Sequence, residues 1–409
     1  DIWVCRGAEP LCREPEGVPQ RTNLFLSFLG WGGVGIVEKG AQARYLDPPT
    51  RGSGMRKAKI GVVGAGWWST EHHIPSLLGY DRVEFVGIAD PKPDKLAGAA
   101  DHYDVEGRYE SHRELLAVPD LDGVVIAIPH AYHYEVAGDA LDAGINVLLE
   151  KPMVLKAEQA WDLVRRADEK GLHLSIGYTF QHTRHALKAK EIVQSGAIGD
   201  IRFVSGVFAS MVERYLRGVG NAYGGDFGYP VTAPEDNSYS DPAISGGGQG
   251  HLQITHAMGM AFWVMELRAT QVFAMMESFD LAVDLVDAIS YRLDNGAIGT
   301  MGATGSIQPG QPPDQCIKYY GTKGFVRQDL ANGSLDIHYN DGTSDTHTDL
   351  SREDLYPAHM PSRSFTDLVL DGGVNAAPAK FGAYTVEFLD AAYTSAASGQ
   401  AVSISQEVR

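Results

Sequence analysis

A short loop with two glycines is the first feature of the sequence that could carry chemistry. It runs from Gly64 to Ser69, between a predicted strand and a predicted helix. A pyrophosphate group needs backbone N–H groups and a helix N-terminus aimed at it, with no side chain in the way. Gly64 permits the tight turn, Gly66 permits the close approach, and Ser69 takes the third small-residue position. The loop therefore predicts a dinucleotide-binding site, with Trp67 and Trp68 among its contact residues.

An acidic residue, Asp90, ends the next predicted strand, some twenty residues beyond the loop. In this place a carboxylate accepts hydrogen bonds from the adenosine ribose hydroxyls and repels a 2′-phosphate. Asp90 therefore favours NAD as the cofactor. Lys92 lies two residues further on and could weaken this preference, so NADP is the alternative cofactor.

Further polar residues follow two later predicted strands. Pro129 and His133 come after the predicted strand at residues 123–128, and Glu150-Lys151-Pro152 comes after the predicted strand at residues 145–149. Ligands of an open parallel sheet bind beyond the carboxyl ends of its strands. A lysine there is a candidate acid or base, because burial beside a nicotinium charge would lower its pKa from about 10.4. The alternative is a surface lysine at the start of a loop.

The elements that position these residues alternate between strand and helix. The capping-box spacing of Ser111 and Glu114 predicts a short helix, and Gly171 ends a longer helix. Strands separated by helices of this length imply a parallel sheet with right-handed crossovers. The predicted strands are residues 59–63, 83–89, 123–128, 145–149 and 172–176.

The second half of the chain is predominantly strand-like. A crossover helix is predicted at residues 186–195, and a C-terminal helix at residues 383–398 packs back on the core. Turns such as Asp294-Asn-Gly296 separate the strands. The predicted strands are residues 201–210, 270–279, 287–293, 298–303, 315–320 and 325–329. Such a sheet would place one face on helices and leave the other free to pair with a second subunit.

These motifs, in this order, resemble the Gfo/Idh/MocA family of glucose–fructose and inositol dehydrogenase-type oxidoreductases. The resemblance covers about residues 58–400 and includes Gly177-Tyr178 and the Gly246-Gly-Gly248 turn before the helix with His256. It implies a Rossmann domain at residues 55–177 and, at residues 178–409, an α/β domain with an open, mostly antiparallel sheet. It also implies tightly bound nicotinamide, and a homodimer or homotetramer.

The resemblance further implies the catalytic pair. A lysine at the Lys151 position would lie near the reacting hydroxyl, with His256 as its partner. Many members carry an aspartate four residues before the histidine, where this chain has Leu252. An aspartate one helical turn away would orient the histidine and tune its charge, which Leu252 cannot do.

The same helix predicts a polar stripe that could contact the substrate. Gln249, Gln253 and His256 fall at i, i+4 and i+7 on one face. His251 lies off this stripe, and packing is the favoured interpretation for it. The predicted substrate-binding residues are Lys151, Tyr178, Tyr239, Gln249, Gln253 and His256.

A long stretch between Met211 and Gly248 is rich in Gly, Tyr, Asp and Pro. Loops of this length in compact domains are usually lids, binding loops or disordered segments. Its aromatic and acidic residues, Tyr239 among them, suit sugar recognition, in which a ring face stacks and carboxylates accept from hydroxyls. The alternative is a solvated surface insertion.

The composition limits the partners and the cellular compartment that the sequence allows. The 409 residues are enough for two domains, and the net charge of −18 argues against nucleic acid and anionic membranes as partners. The three cysteines form neither a disulfide framework nor a metal site, which predicts a reducing cytoplasm and no metal. Residues 1–54 show no regular spacing of hydrophobic residues that would indicate a helix or strand. They are predicted to be upstream translated sequence or a cloning remnant, with an export leader as the alternative.

The sequence thus predicts an NAD(P)-dependent enzyme that transfers hydride between nicotinamide and a secondary alcohol or ketone of a sugar, inositol or similar polyol. Three alternatives stay open. One is a glycoside-cleaving enzyme that uses bound NAD transiently with no net redox change. Another is a non-catalytic, dinucleotide-binding regulator, and the third is a reductase of a small dicarbonyl or anhydro-sugar.

Overall fold

The structure is a computed structural model that describes residues 56–405, including all side chains except those of Asp226 and Phe227. The predicted extension at residues 1–54, with Cys5 and Cys12, lies outside the described residues. None of the helices within residues 56–405 is long and apolar enough to cross a membrane.

The first sheet has six parallel strands in the order β3-β2-β1-β4-β5-β6. This is the doubly wound order of a dinucleotide-binding fold and confirms the predicted Rossmann architecture. Its strands are β1 (Ala58–Val63), β2 (Val83–Ala89), β3 (Arg108–Tyr109), β4 (Gly123–Ile126), β5 (Asn146–Leu149) and β6 (Leu174–Ile176). β4 is buried at every position, because helices cover both faces of the sheet.

Five helices connect these strands. They are α1 (Ile74–Leu78), α2 (Pro93–His102), α3 (His112–Leu116), α4 (His133–Asp142) and α5 (Ala157–Lys170). The predicted cap of α3 is present, since the Ser111 hydroxyl accepts from the Glu114 N–H at 3.3 Å. Gly171 ends α5 in the left-handed conformation, with φ of 63°. A π-turn, Ser69–His73, precedes α1 and was not predicted.

The second sheet has nine strands in the order β14-β13-β12-β11-β7-β10-β9-β8-β15. Among its neighbouring strands only β7 and β10 are parallel, so the predicted mostly antiparallel sheet is confirmed. The strands are β7 (Ile201–Ala209), β8 (Ala269–Glu277), β9 (Val286–Leu293), β10 (Ile298–Thr304), β11 (Asp314–Gly321), β12 (Gly324–Asp329), β13 (Ser334–Tyr339), β14 (Ser344–His347) and β15 (Val402–Ser403). The sequence did not predict β13, β14 and β15, nor β3 of the first sheet.

The remaining helices cover the inner face of this sheet or bridge the two sheets. They are α6 (Arg184–Gln194), α7 (Glu213–Leu216), α8 (Gly224–Phe227), α9 (Pro242–Ser245), α10 (Thr255–Met265), α11 (Arg352–Leu355), α12 (Met360–Asp371) and α13 (Ala379–Ser398). A second π-turn, Gly250–Ile254, leads into α10. α10 is buried along its whole length between the sheet and its neighbouring helices.

The outer face of the second sheet carries apolar side chains. β9 alternates strictly between buried and exposed positions from Asp287 onward, as expected for a sheet with one covered face. Val207, Phe273, Met275 and Ile298, on three of its strands, are each at least 40% exposed.

The C-terminal helices also complete the first sheet. Phe365 of α12 is buried in one core with Ile60 and Val62 of β1. α13 packs against β8 and also against α5 and β6. The end of the chain therefore belongs to both cores, and the boundary expected between residues 177 and 178 stays a prediction.

A buried ion pair fixes α13 to the second sheet, and its loss should be costly. Arg268 donates to both oxygens of Glu387 at 2.7 and 2.9 Å, and the two side chains are 12% and 5% exposed. We expect Arg268→Ala to lower the free energy of unfolding by about 3–5 kcal/mol, because it leaves an uncompensated buried carboxylate. Urea denaturation followed by circular dichroism measures this loss.

The matched control is Lys188→Ala, which removes a more exposed ion pair with Glu191. It should change the free energy by less than about 1 kcal/mol. Equal losses in the two variants would mean that the Arg268–Glu387 pair does not hold α13.

Candidate active site at the carboxyl ends of β4 and β5

The glycine loop has the geometry that a pyrophosphate requires. Gly64 has φ of 105°, and a Cβ there would lie 2.2 Å from the carbonyl oxygen of Ala127. A Cβ on Gly66 would meet no atom within 4 Å, so open space lies beside this residue. The hydroxyl of Ser69 is buried and has no hydrogen-bond partner among the described residues. The loop thus offers a close backbone approach and a spare polar atom.

Asp90 lies beside this loop, as predicted. One carboxylate oxygen accepts from the Ala65 N–H at 2.8 Å, and the other accepts from the Lys92 N–H at 2.8 Å. A carboxylate has about four acceptor positions, so acceptor capacity remains for ribose hydroxyls. The loop and Asp90 therefore fit a dinucleotide, with Gly64, Gly66 and Asp90 as the residues that would hold it.

Glu150, at the end of β5, is a buried brace. One of its oxygens accepts from the ring nitrogen Nε2 of His73 at 2.9 Å and from the indole of Trp68 at 3.0 Å. Its other oxygen accepts from the Lys151 N–H at 3.1 Å. Burial alone would raise the pKa of Glu150, but the His73 hydrogen bond and the nearby positive charges lower it below its usual value. Glu150 is therefore an anion that joins the glycine-loop helix to β5.

Two further contacts complete this brace. The Ser362 hydroxyl of α12 lies 2.7 Å from Nδ1 of His73. Gly177 leaves room for the carboxylate, since a Cβ there would lie 2.3 Å from an oxygen of Glu150. Sequence reasoning missed His73 and Ser362, because neither belongs to a motif and Ser362 is more than two hundred residues from Glu150.

Lys151 points away from this brace towards the second π-turn. Its ammonium group donates to the carbonyl oxygen of Leu252 at 3.2 Å. The Leu252 side chain instead packs in an apolar cluster with Tyr215 and Tyr223. Burial lowers the pKa of Lys151 to about 8, and the charge of Glu150 offsets this only in part. Lys151 can therefore change protonation state near neutral pH.

The histidines near Lys151 are held neutral. Burial lowers the pKa of His256 well below its usual value, and the charge of Lys151 lowers it further. His256 lies among aromatic rings, edge-on to Phe180 at 5.8 Å and stacked on Phe208 at 6.3 Å. Burial also lowers the pKa of His130, whose Nδ1 lies 2.9 Å from the Ser245 carbonyl oxygen. Both imidazoles are therefore neutral and add no positive charge beside the Lys151 amine.

His133 and Pro129 lie at the end of β4 in contacts within the protein. The ring nitrogens of His133 lie 2.9 Å from the carbonyl oxygens of Ile128 and Pro152. His133 is fully buried and so ties the β4 end to the β5 end. Pro129 begins the turn that leads to α4.

Two of the predicted substrate-binding residues are buried glutamines, Gln249 and Gln253, and the amide oxygen of each has no hydrogen-bond partner among the described residues. The Gln249 amide nitrogen donates to the Phe208 carbonyl oxygen at 3.1 Å, which ties the start of the π-turn to β7. The Tyr178 hydroxyl lies 3.4 Å from that of Thr255 at the start of α10. His251 is buried and stacks on Tyr393 at 4.7 Å, in agreement with the packing interpretation.

The long segment after β7 lies across the glycine loop. The Trp67 indole donates to the Tyr239 hydroxyl at 3.0 Å, and Tyr239 lies 6.2 Å from His130. Tyr215 and Tyr229 share a hydrogen bond in the same aromatic cluster. Tyr356, from the segment before α12, also reaches the site beside Trp68 at 6.2 Å. The sequence identified this segment by its composition but gave no signal for Tyr356.

Direct contacts of these residues with a cofactor or substrate remain predictions. The arrangement supplies a glycine loop that fits a dinucleotide, a titratable amine joined to that loop through Glu150, and the aromatic side chains of Trp67 and Tyr239 beside the loop. Such a site can hold a nicotinamide near a hydroxyl group and exchange a proton with that hydroxyl.

Comparison with known proteins identifies the family. Residues 58–178 match the family described as "Oxidoreductase family, NAD-binding Rossmann fold", and residues 186–327 match the "GFO/IDH/MocA C-terminal domain". Together the two matches cover more than half of the chain.

Individual relatives are more distant. The chain is 34% identical over 156 residues to dTDP-3,4-didehydro-2,6-dideoxy-alpha-D-glucose 3-reductase of Saccharopolyspora spinosa, covering 38% of this chain and 46% of that protein. It is 33% identical over 152 residues to D-xylose 1-dehydrogenase [NADP(+)] of Haloarcula marismortui, covering 36% and 42%. The chain thus spans about half the length of the curated relatives that it matches.

The fold is shared over a greater length. A solved structure of levoglucosan dehydrogenase with NADH and levoglucosan has a TM-score of 0.72 at 19% identity, covering 86% of this chain and all of that one. The predicted resemblance is confirmed by both domain matches. The chain therefore belongs to the Gfo/Idh/MocA family of oxidoreductases, and its first domain is that family's NAD-binding Rossmann domain.

Proposed function

We propose that this protein is an NAD-dependent dehydrogenase or reductase acting on a secondary alcohol or ketone of a sugar, inositol or related polyol. The observation that carries the proposal is the Lys151 ammonium group, which lies beyond β5 and donates to the Leu252 carbonyl oxygen at 3.2 Å. The nicotinamide, when bound, supplies or accepts the hydride. NADP is the alternative cofactor.

In this proposal Lys151 manages the proton of the reacting hydroxyl. Its neutral amine accepts the hydroxyl proton during oxidation, and its ammonium form returns a proton to the carbonyl oxygen during reduction. Its lowered pKa suits both directions near neutral pH. His256, held neutral by burial, contacts the same oxygen as the partner of Lys151.

Two observations support a sugar or polyol as the substrate. The half-buried rings of Trp67 and Tyr239 are candidates for stacking on a sugar, and Gln253 is a buried polar group with an unpaired amide oxygen among the described residues. The sequence relatives named above act on sugars: a dTDP-linked deoxyhexose and D-xylose. Substrate identity, stereochemistry and physiological direction are the questions for assay.

Assembly as a homodimer or homotetramer is part of the proposal. The exposed apolar side chains on the outer face of the second sheet, with Phe273 and Met275 on β8, support pairing through this face. Location in the cytoplasm stays a prediction.

The first test is a spectrophotometric screen at 340 nm. The protein would be mixed with NAD or NADP and a panel of inositols, monosaccharides, anhydro-sugars and aryl glycosides. We expect NADH to appear with one class of polyol. Release of an aglycone without NADH would favour the redox-neutral glycoside cleavage, and cofactor binding without any turnover would favour the regulator.

Replacing Lys151 should separate catalysis from cofactor binding. We expect Lys151→Ala to lower kcat by about 10²-fold or more, because the hydroxyl proton loses its acceptor. The dissociation constant of NAD should stay nearly unchanged, since the glycine loop and Asp90 hold the cofactor. Lys156→Ala, which removes an exposed lysine five residues away, is the control and should keep full activity. Full activity in the Lys151 variant would contradict the assigned role.

The pH dependence should report the environment of Lys151. Oxidation requires the neutral amine, so its rate should rise with pH through the lowered pKa of Lys151, about 8. Leu252→Asp introduces a carboxylate at the residue whose backbone carbonyl binds the ammonium group, within the apolar cluster that the leucine side chain fills. This negative charge should raise the pKa of Lys151, which moves the rising limb to higher pH.

Leu252→Asn is the matched neutral control for the pH profile. The asparagine side chain has the shape of the aspartate side chain without its charge. This variant should therefore leave the rising limb of the pH–rate profile near its original position. An unshifted limb in a correctly folded Leu252→Asp protein would show that another group controls the profile.

A further inference from the structure

We propose that Glu235, which the second domain carries across to the Rossmann domain, sets the preference for NAD over NADP. It would do so by binding the two lysines that a 2′-phosphate would otherwise use. The inference rests on the dinucleotide binding in the proposed function but on no particular substrate.

The first step of the argument is the place of the segment that carries Glu235. Thr232 donates from its hydroxyl to the carbonyl oxygen of Ala65 in the glycine loop at 3.2 Å. Its hydroxyl also lies 3.5 Å from that of Thr70, just beyond the same loop. Val231 packs against the core of the Rossmann domain and lies 3.7 Å from the Cβ position of Gly98 on α2. The segment therefore lies between the glycine loop and α2.

The segment is also fixed on the side of the second domain. The Gly220 N–H donates to the Asp236 carboxylate at 2.9 Å, and a Cβ on Gly220 would lie 2.0 Å from the Pro234 carbonyl oxygen. Glu235 lies between these two contacts in the sequence. Its position relative to the first domain is therefore set by packing on both sides.

The second step is the charge arrangement around Asp90. Lys92 and Lys95 follow Asp90 at the start of α2, and both ammonium groups bind the same oxygen of Glu235. Hydrogen bonds from the two lysines lower the pKa of Glu235, so it is ionised at neutral pH. Asp94 lies in the same first turn of α2, so three carboxylates, those of Asp90, Asp94 and Glu235, accompany the two ammonium groups.

The third step is the chemistry of the two cofactors. NADP differs from NAD by a phosphate on the adenosine 2′-oxygen, the position that the acid after β2 approaches. That phosphate is dianionic or nearly so, and cations must neutralise it. Asp90 repels it, and Glu235 occupies the two lysines that could offset this repulsion. NAD, with a hydroxyl there, meets no such penalty.

The test is a binding titration of NAD and of NADP, followed by quenching of tryptophan fluorescence or by calorimetry at low ionic strength. We expect Glu235→Gln to tighten NADP binding by about tenfold, because it removes one negative charge from the two lysines that follow Asp90 and leaves them able to bind an anion. NAD binding should change by less than about threefold. The gain for NADP should shrink as salt is added.

Thr232→Ala is the matched control for the position of the segment. It removes the contact with the glycine loop without changing charge, so it should shift both cofactors equally. Lys92→Gln should act in the opposite sense to Glu235→Gln and weaken NADP more than NAD.

Two results with the variants would overturn the inference. One is an unchanged ratio of the NAD and NADP dissociation constants in Glu235→Gln, and the other is an equal change of this ratio in Thr232→Ala. Because binding is measured without substrate, a wild-type protein that binds both cofactors but oxidises no polyol would challenge the proposed function alone. A wild-type protein that binds neither cofactor would overturn both proposals.

Discussion

The buried carboxylate of Glu150 is the interaction on which the site depends. It accepts from His73 and Trp68 of the first Rossmann helix region and from the backbone of Lys151. A buried charge is stable only when it is well paired and hydrogen-bonded, so its partners must keep their places. Through Ser362 the same network reaches α12, which covers the sheet. The lysine beyond β5 is thereby held on a rigid support, and its amine is directed away from the acid that precedes it.

The direction of the amine gives position 252 a different contact from the one an aspartate would supply to His256. The π-turn Gly250–Ile254 brings a backbone carbonyl, that of Leu252, to the lysine. Such turns occur mostly as single insertions in α-helices, frequently at functional sites. A carbonyl positions the ammonium group as an acceptor but contributes no net charge. The amine therefore titrates at a lower pH than it would beside a carboxylate, and the nearby histidines stay neutral.

One segment of the second domain contacts the Rossmann domain at two places. Tyr239 accepts from the Trp67 indole beside the glycine loop, and Glu235 binds Lys92 close to Asp90 in the chain. In the two proposals, the first contact lies on the substrate side of the site and the second on the adenosine side. Changes in this segment are therefore able to affect substrate and cofactor recognition together.

The sequence by itself determined the parts of this protein that local chemistry encodes. β-branched runs, glycine turns and helix caps predicted five of the six Rossmann strands to within a few residues, and the glycine loop, Asp90 and Lys151 followed from their places at strand ends. The strands β3 and β13 to β15 were missed because they are short, polar or at the edge of a sheet. The tertiary structure alone decided which distant groups meet: His73 and Ser362 with Glu150, Tyr356 with Trp68, and Glu235 with Lys92. It also replaced the regular helix expected through Leu252 with a π-turn. These features depend on packing between segments far apart in the chain, and no local pattern of residues specifies such contacts.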